Sequence, residues 1–267
     1  MELSDVSSWF QSKGWEAFEF QKRAWKNYAN GEFGIVNTPT GSGKTYSLLI
    51  PVLLDISNGG KSGLQAIWVT PIRALAKEIL QSGQRATDGM KLDVTIEIRT
   101  GDTSAKDKAR IKKSPPNILI TTPESLHVML SQKHYDKYFS NLKAVIIDEW
   151  HDLIGSKRGV QMELALSKFK VLSPSLKIWG ISATIGNMEE SLKVLLGDWY
   201  NSKPHQIIRS DIKKKYEVES IYPDDVDELP WAGHLGIKLI EKAIPILLKS
   251  ESTLIFLNTR GQAEIWY

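Results

Sequence analysis

Through residue 202, short apolar runs alternate with segments whose apolar positions recur every three to four residues. Six runs read as strands: 33–38 (FGIVNT), 64–70 (LQAIWVT), 94–100 (VTIEIRT), 117–122 (NILITT), 142–148 (LKAVIID) and 176–183 (LKIWGISA). Segments 71–86 and 159–172 carry the helical period instead. Strands rich in Ile and Val, apolar on both faces and separated by helices, predict a parallel sheet covered on both sides. The expected fold class is α/β, a doubly wound parallel sheet, with ligands at the carboxyl ends of its strands.

The texture changes after 202. Residues 203–222 read as extended and polar-alternating, and 223–230 (PDDVDELP) as an acidic loop bounded by prolines. A helix is expected over 234–250, then a fresh buried strand over 252–259 (STLIFLNT) and the start of a helix over 260–267. One or two strands are too few to bury a sheet. The pattern therefore predicts one domain over 1–202 and the incomplete start of a second over 203–267, as in a piece of a longer protein.

A length of 267 residues agrees with one large or two medium domains. The absence of cysteine excludes disulfides and thiolate metal sites. No run reaches the ~20 apolar residues of a membrane span, and the N-terminus lacks the basic start and apolar stretch of a secretory signal. A cytoplasmic protein without a membrane partner is expected. The net charge of +3 is too mild to identify a nucleic-acid partner, and the basic runs at 106–113 and 213–215 read more readily as solvated helix or strand ends than as phosphate-binding patches.

Chemistry enters with 35–49 (IVNTPTGSGKTYSLL), which supplies a strand, a glycine-rich loop and a helix in that order. Glycines let the backbone turn tightly and aim several N–H groups at phosphate oxygens. In Thr40, Gly41, Ser42, Gly43, Lys44 and Thr45, the lysine supplies a point charge for the β and γ phosphates and Thr45 a hydroxyl for Mg²⁺. Thr38 stands where the general pattern has glycine. ATP and Mg²⁺ are the expected cofactors. Beside such a loop, the acids that end 145–153 (VIIDEWHDL) take separate tasks: Asp148 orders the metal shell and Glu149 polarises the water that attacks phosphorus.

Three segments in order, TPTGSGKT (38–45), DEWH (148–151) and SAT (182–184), resemble motifs I, II and III of superfamily 2 helicases. TPIRALA (70–76) is similar to motif Ia, RTGDTS (99–104) to the element after it, TTPESL (121–126) to motif Ib, and TLIFLNTRGQAE (253–264) to motif IV. FEFQ (18–21) looks like the Q motif. DEWH together with GSKRGVQMELAL (155–166) resembles the Lhr-type helicases, in particular the bacterial ligase-associated DEXH-box branch.

That resemblance implies a RecA-like domain followed by the beginning of another, with ATP hydrolysis driving a helicase. It further implies 3′-to-5′ movement on single-stranded DNA, unwinding of DNA or RNA–DNA duplexes in repair, ligase and nuclease partners, and a nucleoid-associated location. Gln21 would read the adenine edge with Phe18 packed nearby, and His151 would couple the DEWH segment to Ser182 and Thr184. Pro71, Arg73, Thr100, Gly101, Thr122, Pro123, Ser125, Arg158, Thr259 and Arg260 become the nucleic-acid candidates. Thr-Pro is also a common helix start, with Thr as cap and Pro in the first turn, so those loops have a structural reading as well.

Other readings stay open: an RNA-directed DEXH-box helicase, or a module that binds ATP and nucleic acid without unwinding. A small-molecule kinase or transporter ATPase shares the phosphate loop but leaves SAT and the paired Thr-Pro loops unexplained.

Overall fold

The computed structural model describes residues 3–60, 63–183, 186–212, 217–222 and 239–267. Helices α1 (Leu3–Ser12) and α2 (Glu19–Ala29) precede strand β1 (Phe33–Asn37) and helix α3 (Lys44–Gly59). Next come β2 (Ala66–Val69), α4 (Arg73–Met90), β3 (Ile96–Arg99) and α5 (Ala105–Lys113). β4 (Ile118–Thr121) leads to α6 (Pro123–Leu130) and the short α7 (Tyr135–Tyr138), and β5 (Ala144–Ile147) to α8 (Trp150–Leu153) and α9 (Lys157–Leu172). β6 (Lys177–Ser182), α10 (Met188–Leu196), a 3-10 turn over Gly197–Asn201 and β7 (His205–Arg209) follow, and then α11 (Ile240–Leu248) and α12 (Arg260–Trp266). Each of the six runs expected to form a strand before residue 202 does so.

The strands form one parallel sheet in the order β3-β4-β2-β5-β6-β1-β7. Side chains alternate between its faces, and this divides the apolar residues into two cores. Ile146, Trp179, Trp68 and Val36 join α1 to α4 on one face. Val145, Ile147, Ile67 and Ile35 join α6, α8, α9 and α10 on the other. The helices start where side chains satisfy their first N–H groups: Ser104, Thr122, Ser156 and Asn187 each accept one. No helix among the described residues is long and apolar enough to cross a membrane.

The first unit extends further than the hydrophobic pattern implied. β7 pairs with β1 from Phe33↔His205 to Asn37↔Arg209, so the compact unit runs to Ile212 rather than 202. Residues 203–209 are polar-alternating because β7 is an edge strand, exposed on one side, and not because a new domain begins there. Gly34 permits this pairing, since a Cβ there would collide with the Gln206 carbonyl and lie 2.9 Å from the Trp179 ring. Gly34→Ala is expected to destabilise the unit by about 1–3 kcal/mol, read as a lower midpoint in thermal or urea unfolding.

The second unit, 213–267, contains α11 and α12. The strand expected over 252–259 is not formed among the described residues: the segment pairs with no neighbour, and Leu254, Ile255 and Phe256 are exposed. An apolar run becomes a strand only when another backbone takes its N–H and C=O groups. The basic run 213–215, the acidic loop 223–230 and residues 234–238 of the expected helix lie outside the described residues.

Candidate functional site

The loop between β1 and α3 turns through two left-handed glycines, Gly41 and Gly43, both at φ 75°. A side chain at either would be strained, and Gly43 forms the N-terminal cap of α3. Thr38 and Ser42 brace the turn with a hydroxyl pair at 2.6 Å, and Ser42 also donates to the Pro39 carbonyl. Thr38 therefore holds a loop whose first position lacks glycine. Thr40 is exposed and Thr45 partly exposed. Gln21, 2% exposed, tethers the loop from α2: its Nε2 donates to the Gly43 carbonyl and its Oε1 accepts the Phe18 N–H. Both ends of this amide are engaged with protein, while the Phe18 ring is half-exposed and stacked on Phe20.

The acids arrive from β5, separated from β1 in the sheet by β6 alone. Lys44 of the loop forms an ion pair with Glu149 Oε1. The second oxygen, Oε2, is buried without a hydrogen-bond partner and lies 3.5 Å from His151 Nδ1. Glu149 adopts the left-handed conformation, φ 47° and ψ 46°, which is rare for a non-glycine residue and breaks the chain sharply from β5 into α8. Its N–H donates to Asp148 Oδ1. Asp148 is 3% exposed, and its carboxyl is pushed up to about 6. Burial is the largest cause and the neighbouring Glu149 adds to it, against the pull of Lys44.

The next residues split between the faces. Trp150 is fully buried in the core opposite α3, where its indole N–H donates to the Ser191 carbonyl of α10. It therefore anchors α8 to α10. His151 turns back: its Nδ1 is 3.1 Å from Ser182 Oγ at the end of β6. Asn37, at the end of β1, donates to the Ala183 carbonyl at 2.7 Å. The DEWH and SAT segments thus touch directly. Thr184 lies outside the described residues.

The other candidates cluster at the carboxyl ends of β2, β3 and β4. Arg73 pairs with Asp102 at 2.5 Å and lies against Gly101. Arg158 pairs with Glu124 at 2.6 Å and donates to the Pro71 carbonyl at 3.2 Å. Thr100, Thr122, Pro123 and Ser125 are buried: Thr122 caps α6 with Pro123 in its first turn, and the Thr100 N–H is held by Thr103. Of the candidates in this patch, the exposed ones are therefore Arg73, Gly101 and Arg158, with the exposed carboxylates of Asp102 and Glu124 paired to the two arginines. In the second unit, Thr259 caps α12 and Arg260 pairs with Glu264.

A model of the DEAD/DEAH box helicase family matches residues 18–191. The chain belongs to that family. This helicase chain is 30% identical over 276 residues to the ATP-dependent helicase Lhr-Core of Methanothermobacter thermautotrophicus, covering 97% of itself and 32% of that protein. It is likewise 30% identical to the Lhr helicase/uracil glycosylase of Escherichia coli, covering 98% of itself and 19% of the relative. Among solved structures it is similar to the Mycobacterium smegmatis helicase Lhr bound to ssDNA and AMP-PNP. That match has a TM-score of 0.82 at 26% identity and covers 97% of this chain and 34% of the other. The helicase chain spans about a third of the length of its Lhr-Core relatives.

Several contacts around these candidates carry no sequence signal of their own. Asn37 is an ordinary strand residue until β6 lies beside it. Asp102 and Glu124 look like loop acids and prove to be partners of the two arginines. Only the strand order brings them together.

Proposed function

We propose that this chain supplies the ATP-binding core of an Lhr-type helicase that moves along single-stranded DNA from 3′ to 5′ and separates DNA or RNA–DNA duplexes. The observation that carries the ATP reading is the Lys44–Glu149 ion pair, which joins the phosphate loop to the end of β5. With nucleotide present, Lys44 exchanges its carboxylate partner for phosphate oxygens. Glu149 would then be free to orient the attacking water, a reading supported by an Oε2 that makes no hydrogen bond in the protein.

The donor set fits Mg²⁺, which takes hard oxygen ligands and keeps much of its water shell. Asp148 and the Thr45 hydroxyl would hold it, and the ion would offset charge on the phosphates. A buried carboxylate with a raised pKa is a group that a neighbouring cation stabilises in its charged form.

The patch containing Arg73, Gly101 and Arg158 would grip the nucleic-acid backbone. Its two ion pairs are half-exposed, and such pairs contribute about 1 kcal/mol or less. A phosphate can therefore replace either carboxylate at little cost. The Mycobacterium smegmatis helicase Lhr was solved bound to ssDNA, which favours DNA over RNA here. Ligase and nuclease partners, a role in repair and a nucleoid location follow only from the ligase-associated resemblance. Thr259 and Arg260 would contribute from a second RecA-like domain that begins in 213–267.

The deciding experiment is an ATPase assay on the full-length protein with single-stranded DNA, single-stranded RNA or neither. Turnover stimulated by DNA above RNA is expected; hydrolysis indifferent to both would overturn the proposal. His151→Ala is expected to lower the ratio of stimulated to unstimulated turnover by about tenfold, with Ser182→Ala acting in the same direction. An unchanged ratio in both would remove the coupling role.

A further inference from the structure

Arg99, the last residue of β3, is 7% exposed, yet its Nη1 has no hydrogen-bond partner in the protein. Arginine stays protonated, so an unpaired buried guanidinium nitrogen loses hydration with nothing in return. The pleat sets its direction. Ile96 and Ile98 pack on the core that holds α3 and α4, which leaves Glu97 and Arg99 facing the opposite side. Glu97 is already engaged in a two-pronged pair with Arg110, at 2.7 and 2.6 Å.

Arg99 instead lines a cavity of about 440 Å³, together with Lys112, Lys113, Lys133, Lys137 and Tyr138. No Asp or Glu is among the lining residues. Arg99 is the one buried cation of the five and four exposed lysines stand around it, a set that suits an anionic ligand with at least two negative charges. The volume lies within the range of small-molecule sites. The basic run 106–113 acquires a function here: Arg110 is held by Glu97, Lys108 by the Gly101 carbonyl, and the last two lysines reach the cavity.

We infer that this cavity is a second phosphate site, which takes a ligand carrying a phosphomonoester or pyrophosphate group. It is not part of the ATP site. Four strands separate β3 from β1, which places them about 24 Å apart at the usual strand spacing. The phosphate could belong to a free nucleotide-sized anion or to the end of a nucleic-acid strand, because Arg99 directly precedes the Thr100–Gly101 loop. The cavity stands apart from the helicase proposal, and an inactive ATPase would leave it in place.

The test uses the chain carrying Lys44→Ala, so that the phosphate loop cannot report. Calorimetric titration with inorganic pyrophosphate, without divalent metal, is expected to show one saturable site. Adding Arg99→Gln is expected to weaken binding by about 10- to 100-fold. Should that variant fold poorly, Lys112→Ala with Lys113→Ala alters only exposed positions and is expected to weaken binding at least several-fold. A second arm compares a short 5′-phosphorylated oligonucleotide with its 5′-hydroxyl twin. A phosphate preference lost in the lysine variant supports the site and assigns it to a strand end. Pyrophosphate binding that depends on these residues, without such a preference, supports it as a site for a free anion. Binding that depends on neither Arg99 nor the two lysines in both arms, or no binding in either, overturns the inference.

Discussion

Glu149→Gln in the full-length protein is expected to keep ATP affinity within a few-fold of the parent while turnover falls by about 10²- to 10⁴-fold. The carboxylate has two relations in the folded chain: Oε1 pairs with Lys44, and Oε2 is buried without a hydrogen bond, 3.5 Å from His151 Nδ1. Gln preserves the shape and removes the charge. Lys44 then loses its competing anion, which favours phosphate binding, while under the proposed mechanism the attacking water loses the carboxylate that would polarise it. Fluorescent-nucleotide binding and steady-state hydrolysis on one preparation separate the two effects. Turnover within tenfold of the parent would remove Glu149 from the chemistry.

Asp148→Asn is expected to abolish Mg²⁺-dependent hydrolysis and, without nucleotide, to stabilise the chain at pH 8. In the folded chain the carboxyl titrates near 6, against an ordinary value of 3.8, because burial disfavours its charged form. A carboxyl whose pKa is raised on folding contributes stability that is complete below about pH 4 and lost as pH climbs through 6. Above that, the buried charge opposes folding by about 3 kcal/mol, two pH units at 1.36 kcal/mol each. Asn removes that opposition while its amide oxygen can still accept the Glu149 N–H. The expected result is a thermal midpoint several degrees above the parent at pH 8, with the gain shrinking toward pH 4. Equal midpoints at pH 8 would show that the buried carboxylate carries no such cost.

The parts of the site that rest on local order were legible in the sequence. A strand, a loop with glycine at 41 and 43 and then a helix can form one kind of turn, and two acids after an apolar run mark a strand's carboxyl end. What was not legible depends on which strands become neighbours. β1 and β5 are far apart in the chain and are separated in the sheet by β6 alone, so the Lys44–Glu149 pair is a product of topology. The same reason hid the membership of β7, whose polar alternation marks an edge strand equally well in an old sheet or a new one. Residues 252–259 show the converse error, because apolar content reports an appetite for burial and not the presence of a partner. Arg99 gave no sign either, since only the fold shows that its Nη1 is buried without a hydrogen-bond partner and that its side chain lines a cavity.

Arg158 stands in the first turn of α9, on the segment that follows Asp148 and Glu149 through Trp150, and it holds both the Pro71 carbonyl and Glu124. One side chain thus clasps the loops that follow β2 and β4. A shift of α9 by a fraction of a turn would alter both contacts together, so under the proposed function these loops would act as a paired jaw with a single hinge pin and not as two independent fingers.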